Sequence, residues 1–178
     1  MISVKAHNEE VLYPNNVAVT ISLNDLAQLK EMAKKNPRKR IRLCCHNSES
    51  DSIHEMVIVH SKSCYVRPHL HLNRKESVYA LQGSADLITF NSDGDVKQVI
   101  EMGDINSQKI IYSQVPENTI HTIIIRSDFF VFKEVTAGPF DPMTTRFPHW
   151  APPQNGNNQD INNFIKKLDS ICQEFKVV

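Results

Sequence analysis

Residues 67–83 read RPHLHLNRKESVYALQG. Two imidazoles one residue apart, His69 and His71, are followed by a carboxylate, Glu76. Residues two apart in a strand share a face, so the two rings can converge on one point while Leu70 points away. LNRK gives the chain room to turn, and in a closed antiparallel barrel such a hairpin can bring Glu76 to the same point from the next strand. A fourth ligand has to come from later in the chain. His121 is the candidate: it heads the apolar run HTIIIRS, just behind the turn-like PENTI. Three neutral imidazoles and one carboxylate suit a divalent first-row ion: iron, zinc, nickel, manganese or cobalt. Such a set leaves positions open for water or substrate, whereas structural zinc sites favour closed, thiolate-rich shells. The cluster therefore reads as reactive or ligand-binding. The plainer alternative is a group of core or surface histidines without metal. The offset of Glu76, the glycine at Gly83 and the turn before His121 argue against it.

The elements that have to position these groups are short strands. EMVIVH, SVYALQ, ADLITF, VKQVIE, KIIYSQV, HTIIIRS and FFVFKEV each have strand character, and NSDG at 91–94 is a hairpin turn between two of them. This density of strands and turns indicates an antiparallel sandwich or barrel rather than an alternating α/β fold. Residues 1–52 read as an N-terminal extension with one helix, Leu23 to Lys35, capped by Ser22 with Asp25 three residues on and stopped by Pro37. Residues 53–136 form the barrel and 137–158 a Pro- and Asn-rich strap and linker. Residues 159–178 form an amphipathic C-terminal helix whose stripe runs Ile161, Phe164, Ile165, Leu168, Ile171, Cys172, Phe175. That stripe can dock on its own domain or form a dimer contact.

The 178 residues carry no formal net charge, with 40% hydrophobic and 22% charged positions, the balance of a soluble globular protein. No bulk field draws in nucleic acid or a membrane surface, and no apolar run reaches the length of a bilayer span. Neither partner is expected. The N-terminus lacks a secretory pattern. Cys44, Cys45, Cys64 and Cys172 form no CxxC pair and suit reduced thiols in a cytoplasmic setting.

HxHxxxxExxxxxxG at 69–83 resembles the first cupin motif, and PENTIH at 116–121 resembles the second. The resemblance implies an all-β core, a cupin-type antiparallel β-barrel of jelly-roll form. It also implies a metal held by His69, His71, Glu76 and His121. Ser63, Asn118 and Ile125 stand where the motifs have Gly, Gly and Asn; none is a ligand, and Asn tolerates the left-handed backbone that a turn glycine adopts. Over most of the chain, up to about Pro153, the segments NPRKRIRLCCH, SIHEMVIVHSKSCYVRPHLH and FKEVTAGPFDPMTTRFPHWAPP resemble WbuC-type cupin-fold metalloproteins. Members of that family tend to be encoded among bacterial O-antigen and other surface-polysaccharide genes. This implies a small-molecule ligand such as a nucleotide sugar or glycan precursor.

Further residues fall near this centre. Arg67, two residues before His69, should face the same cavity, where it could clamp an anion or orient Glu76. A metal-held Glu76 is a poor base, so a metal-bound hydroxide, or a pocket residue such as Tyr79, is the default catalytic candidate. Tyr65 either lines the pocket or fills the core, and Lys109 is a more remote candidate. The basic run KKNPRKRIR at 34–42 reads as a solvated linker, or else as a surface attracting an anionic substrate; nucleic acid fits it less well. GPFDPMTTRFPHWAPP reads as a stiff strap whose Phe147 and Trp150 cover an apolar face. Three functions compete: a metal-dependent isomerase, epimerase or lyase acting by Lewis-acid chemistry, an iron-dependent dioxygenase, and a non-catalytic sugar- or metal-binding module. Edge strands and the C-terminal stripe make a homodimer the expected assembly.

Overall fold

A computed structural model describes residues 2–16 and 18–175. The strands are β1 (Val4–Ala6), β2 (Val11–Pro14), β3 (Arg40–Cys44), β4 (Ile53–Ser61), β5 (Leu70–His71), β6 (Glu76–Gln82), β7 (Ser84–Phe90), β8 (Val96–Gly103), β9 (Tyr112–Val115), β10 (Ile120–Ile125), β11 (Phe129–Ala137) and β12 (Thr145–Arg146). The helices are α1 (Leu23–Lys35) and α2 (Asn158–Phe175). The apolar runs of the sequence are thus recovered as β4 and β6–β11, and the C-terminal helix is described as far as Phe175; residues 176–178 lie outside the described residues.

A seven-stranded sheet, in the order β1-β2-β3-β4-β11-β6-β9, faces a three-stranded sheet, β10-β7-β8. Alternation along each strand sorts the side chains into layers. Phe130 and Phe132 on β11, Met56 and Ile58 on β4, and Leu87 and Ile123 from the smaller sheet fill the barrel interior. Each such buried side chain contributes roughly 1.5–3 kcal/mol of hydrophobic stabilisation. On the outer face of the large sheet, Val57, Val59 and Val131 pack with Ile41 and Leu43 beneath Leu26 and Leu29 of α1. The start of α1 is as expected: Ser22 and Asp25 form a reciprocal capping box.

The first fifty residues do more than carry a helix. They supply β1, β2 and β3 to the large sheet, with β3 pairing antiparallel to β4 from Arg40↔His60 to Cys44↔Met56. The basic run at 34–42 therefore does not end in a solvated linker. Arg40 and Arg42 alternate with the fully packed Ile41 and Leu43, so one face of β3 lies under α1 and the other turns its arginines towards the barrel interior.

The C-terminal stripe docks in cis. Ile161, Leu168 and Cys172 are buried, and Leu168 and Cys172 pack with Ile88 and Phe90 on the outer face of the smaller sheet. Arg126 ties the layers together, donating from Nε to Asp86 Oδ2 at 2.8 Å and pairing with Asp169 of α2. The stripe is thus committed to its own domain rather than to a dimer contact. Trp150 of the strap packs against Phe90 in a tilted arrangement, with centroids 5.1 Å apart, and donates from Nε1 to the Ser92 carbonyl. It sits so close to Gly94 that a Cβ there would come within 2.9 Å of the indole.

Candidate metal centre

β5 carries His71 and β6 carries Glu76 on either side of a short turn, and β10 carries His121; the expected hairpin does not form, because β5 pairs with β12 while β6 pairs with β11 and β9. Backbone pairing fixes the rest. His69 donates its N–H to the His121 carbonyl at 3.0 Å and accepts from the His121 N–H at 2.8 Å. The turn before His121 uses Asn118 at φ 59°, and Asn118 N–H donates to the His71 carbonyl. The left-handed conformation expected of that asparagine is the one observed. At the far end of the motif, Gly83 has φ +80° and a Cβ there would lie 2.1 Å from the Phe129 carbonyl oxygen, so glycine is required by the backbone.

These elements bring one donor atom from each of His69, His71, Glu76 and His121 within 4.8 Å of one another. Metal–donor distances of about 2.1 Å place opposite ligands roughly 4.2 Å apart, so a small inward adjustment closes a shell around an ion. The hydrogen bonds also orient the rings for ligation. Nδ1 of His69 meets the Arg67 carbonyl at 2.8 Å, and Nδ1 of His121 meets the Thr119 carbonyl at 2.9 Å. Each Nδ1–H is thereby committed to the backbone, which leaves Nε2 for a ligand. His71 is held differently: its Nδ1 lies 3.1 Å from Thr145 Oγ1, a hydroxyl brought in by the strap where β12 pairs with β5. The donor set, the tautomers and the burial fit a divalent ion.

The metal-free electrostatics centre on Glu76. Its carboxylate oxygens lie 2.9 Å from His71 Nε2 and 3.1 Å from His121 Nε2. Burial pushes the Glu76 pKa up, but the bonds from His121 and His71 outweigh it and hold the carboxyl well below its usual range. Burial and the neighbouring His121 push His69 down to about 3, so its imidazole is neutral. For His121, burial works downward, but the hydrogen bond and charge of Glu76 prevail and raise its pKa. In the absence of an ion, protons between Glu76 and the imidazoles hold the cluster together.

A cavity of about 380 Å³ opens beside the cluster, lined by His69, His71, Glu76, Arg67, Arg74 and Glu134, among others. Arg67 faces it, as expected from its spacing to His69, and its guanidinium lies 4.7 Å from the centre of the Phe147 ring. Phe147 therefore belongs to the mouth of the site, while Trp150 alone of that pair serves as the strap's anchor on an apolar face. Tyr79 does not reach the cavity. Glu76, Val78 and Ala80 point inward along β6, so Tyr79 falls on the opposite face, 40% exposed and opposite Tyr112 of β9. Its assignment as acid–base is withdrawn on that parity. Tyr65 is buried and donates to the Pro152 carbonyl, and Lys109 pairs with Glu101.

Glu134 was not foreseen. It continues the inward series Phe130, Phe132, Glu134 on β11, directly opposite Val78 of β6 and one inward position from Thr136, which pairs with Glu76. Burial and the charge of Glu76 raise its pKa to about 7. The signal available in the sequence was the single acid on the inward parity of an otherwise aromatic run.

A family model described as a domain of unknown function, DUF6016, matches residues 21–102. No curated protein matches the chain. Among solved structures, protein SO0799 from Shewanella oneidensis is similar at a TM-score of 0.53 and 14% identity, covering 72% of this chain and 85% of that one. KdgF from Halomonas sp. is similar at 0.47 and 12% identity, over 61% of this chain and 88% of its own. The capsular polysaccharide assembling protein CapF from Staphylococcus aureus is similar at 0.45 and 19% identity, over 55% of this chain and 27% of its own. The fold of this chain is a cupin-type antiparallel β-barrel with an N-terminal and a C-terminal helix.

Proposed function

We propose that the protein is a metal-dependent cupin that binds one divalent transition ion through His69, His71, Glu76 and His121. Its substrate in this reading is a sugar-derived small molecule, a nucleotide sugar or glycan precursor of bacterial surface-polysaccharide (O-antigen) assembly, as the resemblance to WbuC-type proteins implies. The observation that carries the reading is the convergence of four donor atoms within 4.8 Å at the wall of an open cavity. A bound ion would supply Lewis-acid polarisation of a substrate carbonyl or hydroxyl. The chain's own groups supply the rest. Arg67, at the cavity wall above His69, binds and orients an anionic part of the substrate. Glu134 takes the place of Tyr79 as the acid–base: its buried carboxyl lies on the cavity wall, on the inward face of β11 one inward position from Thr136, the partner of Glu76. Isomerisation, epimerisation and elimination all fit this arrangement.

Cys44, Cys45 and Cys64 as reduced thiols support a cytoplasmic setting, and among the described residues no helix is long and apolar enough to cross a membrane. The outer strands β1 and β9 of the large sheet keep a homodimer as the proposed assembly. The test is product formation from a panel of nucleotide sugars by protein loaded in turn with zinc, nickel, manganese and ferrous iron. Metal-dependent turnover lost in Glu134→Gln supports the reading. Substrate-dependent oxygen uptake by the iron form alone would replace it with a dioxygenase. Saturable binding without product would replace it with a binding module.

A further inference from the structure

The metal cavity has an arginine wall that the proposed chemistry does not use. Arg38, Arg40 and Arg42 line the cavity that holds the cluster, and they also line a second space of about 450 Å³ beside it, together with His60. The three arginines thus line both spaces. Their placement follows from β3: Ile41 and Leu43 pack under α1, which turns Arg40 and Arg42 inward. Arg38 sits on the preceding turn, where Asn36 Oδ1 accepts from its N–H at 2.8 Å and Lys39 takes φ 58°. Glu10 holds two of the three, at 3.2 Å from Arg38 Nη1 and 2.7 Å from Arg40 Nε. The Arg42 side chain forms no hydrogen bond or ion pair among the described residues.

Two observations point to a ligand. The two compartments are lined by five arginines (38, 40, 42, 67 and 74) and by four carboxylates, Glu9, Glu10, Glu76 and Glu134, an excess of one positive charge before any ion is added. In addition, Nε of Arg38, Arg67 and Arg74 and Nδ1 of His60 are buried without a hydrogen-bond partner. Buried donors left unpaired are costly, and a ligand rich in acceptor oxygens would satisfy them. A lone carboxylate brings one charge and one planar face. A phosphate brings up to two charges and a tetrahedral set of acceptors, which suits guanidinium groups converging from different directions.

We infer that Arg38, Arg40 and Arg42 form a phosphate subsite, gripping the phosphate or diphosphate of a small-molecule substrate whose other end reaches the metal cluster between Arg67 and Arg74. The second half of this statement rests on the metal reading above; the subsite itself does not.

Calorimetric titration of the zinc-loaded protein with UDP-glucose, inorganic phosphate, malonate and glucose tests it, with metal content measured on each sample. Saturable binding of UDP-glucose and of phosphate, with none of glucose, is expected. Arg42→Gln should weaken UDP-glucose binding by about tenfold or more, the loss of one charge-assisted hydrogen bond, with metal content unchanged. Because the Arg42 side chain makes no hydrogen bond or ion pair among the described residues and acts on Glu134 and Cys44 through its charge alone, its thermal midpoint should stay near wild type; Arg38→Gln provides a second variant. Phosphate binding that survives in the His69→Ala, His71→Ala protein would leave the subsite standing while the metal reading is judged separately. Absence of phosphate and UDP-glucose binding in wild type, or equal affinity in Arg42→Gln, overturns the inference. Malonate binding as tightly as phosphate overturns the choice of phosphate.

Discussion

His69 and His121 exchange both backbone hydrogen bonds, at 3.0 and 2.8 Å, so two rings from distant segments lie side by side with centroids 4.5 Å apart. Register is therefore the variable that makes or breaks the cluster. A slip of one residue in β10 would replace His121 with Thr122 on the inner face.

Asn118, in the turn that sets this register, is held at φ 59°. Asn118→Val should cost about 1–3 kcal/mol of stability, the penalty of a β-branched residue in the left-handed region, and should weaken metal binding. Asn118→Gly should stay close to wild type in both. Urea unfolding and metal titration of the two variants check this, and equal behaviour of Val and Gly would contradict it.

Thr145 holds His71 from the strap, Oγ1 to Nδ1 at 3.1 Å. Thr145→Val keeps the volume and removes the hydroxyl. Metal affinity should fall about 10–100-fold, the usual effect of losing a ligand's orienting partner, with little change in global stability. Competition with a chromogenic chelator measures it.

Glu134 gives a pH signature. Its folded pKa, about 7, lies above the ordinary carboxyl value, so the folded state binds more protons than the unfolded state between the two. Stability of the chelator-treated protein should fall as pH rises through that interval, by an amount on the order of 2 kcal/mol. Glu134→Gln should abolish this component and be relatively more stable at pH 8 than at pH 4.5. Urea unfolding at the two pH values checks the sign.

Much of this was legible in the sequence, and the misses have physical reasons. The alternation from Ile53 to Val135 and the NSDG turn identified the barrel strands because their inner faces are apolar and their turns carry turn residues. Type, spacing and the cupin resemblance singled out His69, His71, Glu76 and His121, whose donor atoms the fold brings within 4.8 Å of one another. β3 was missed because Arg40 and Arg42 face a polar cavity; the alternation RIRL was present, but the charge run around it resembled a solvated segment. Glu134 was missed for the same reason, as a single acid on an inner face. Tyr79 was misassigned because its parity relative to Glu76 was not applied along β6.

The C-terminal helix predicts a separable effect. Leu168 is 4% exposed against Ile88 and Phe90, so Leu168→Ala should cost about 2–5 kcal/mol. Metal content should be unchanged, because α2 packs on the outside of the smaller sheet. Coupled loss of metal at temperatures where the variant remains folded would show that the layers are not independent.

The central claim is that His69, His71, Glu76 and His121 hold an ion, and elemental analysis of untagged protein purified without chelator tests it most directly. About one ion per chain is predicted from a single four-ligand cluster, lost in the His69→Ala, His71→Ala variant and in His121→Ala. Wild-type protein that remains metal-free after reloading with zinc, nickel, manganese and ferrous iron would contradict the account.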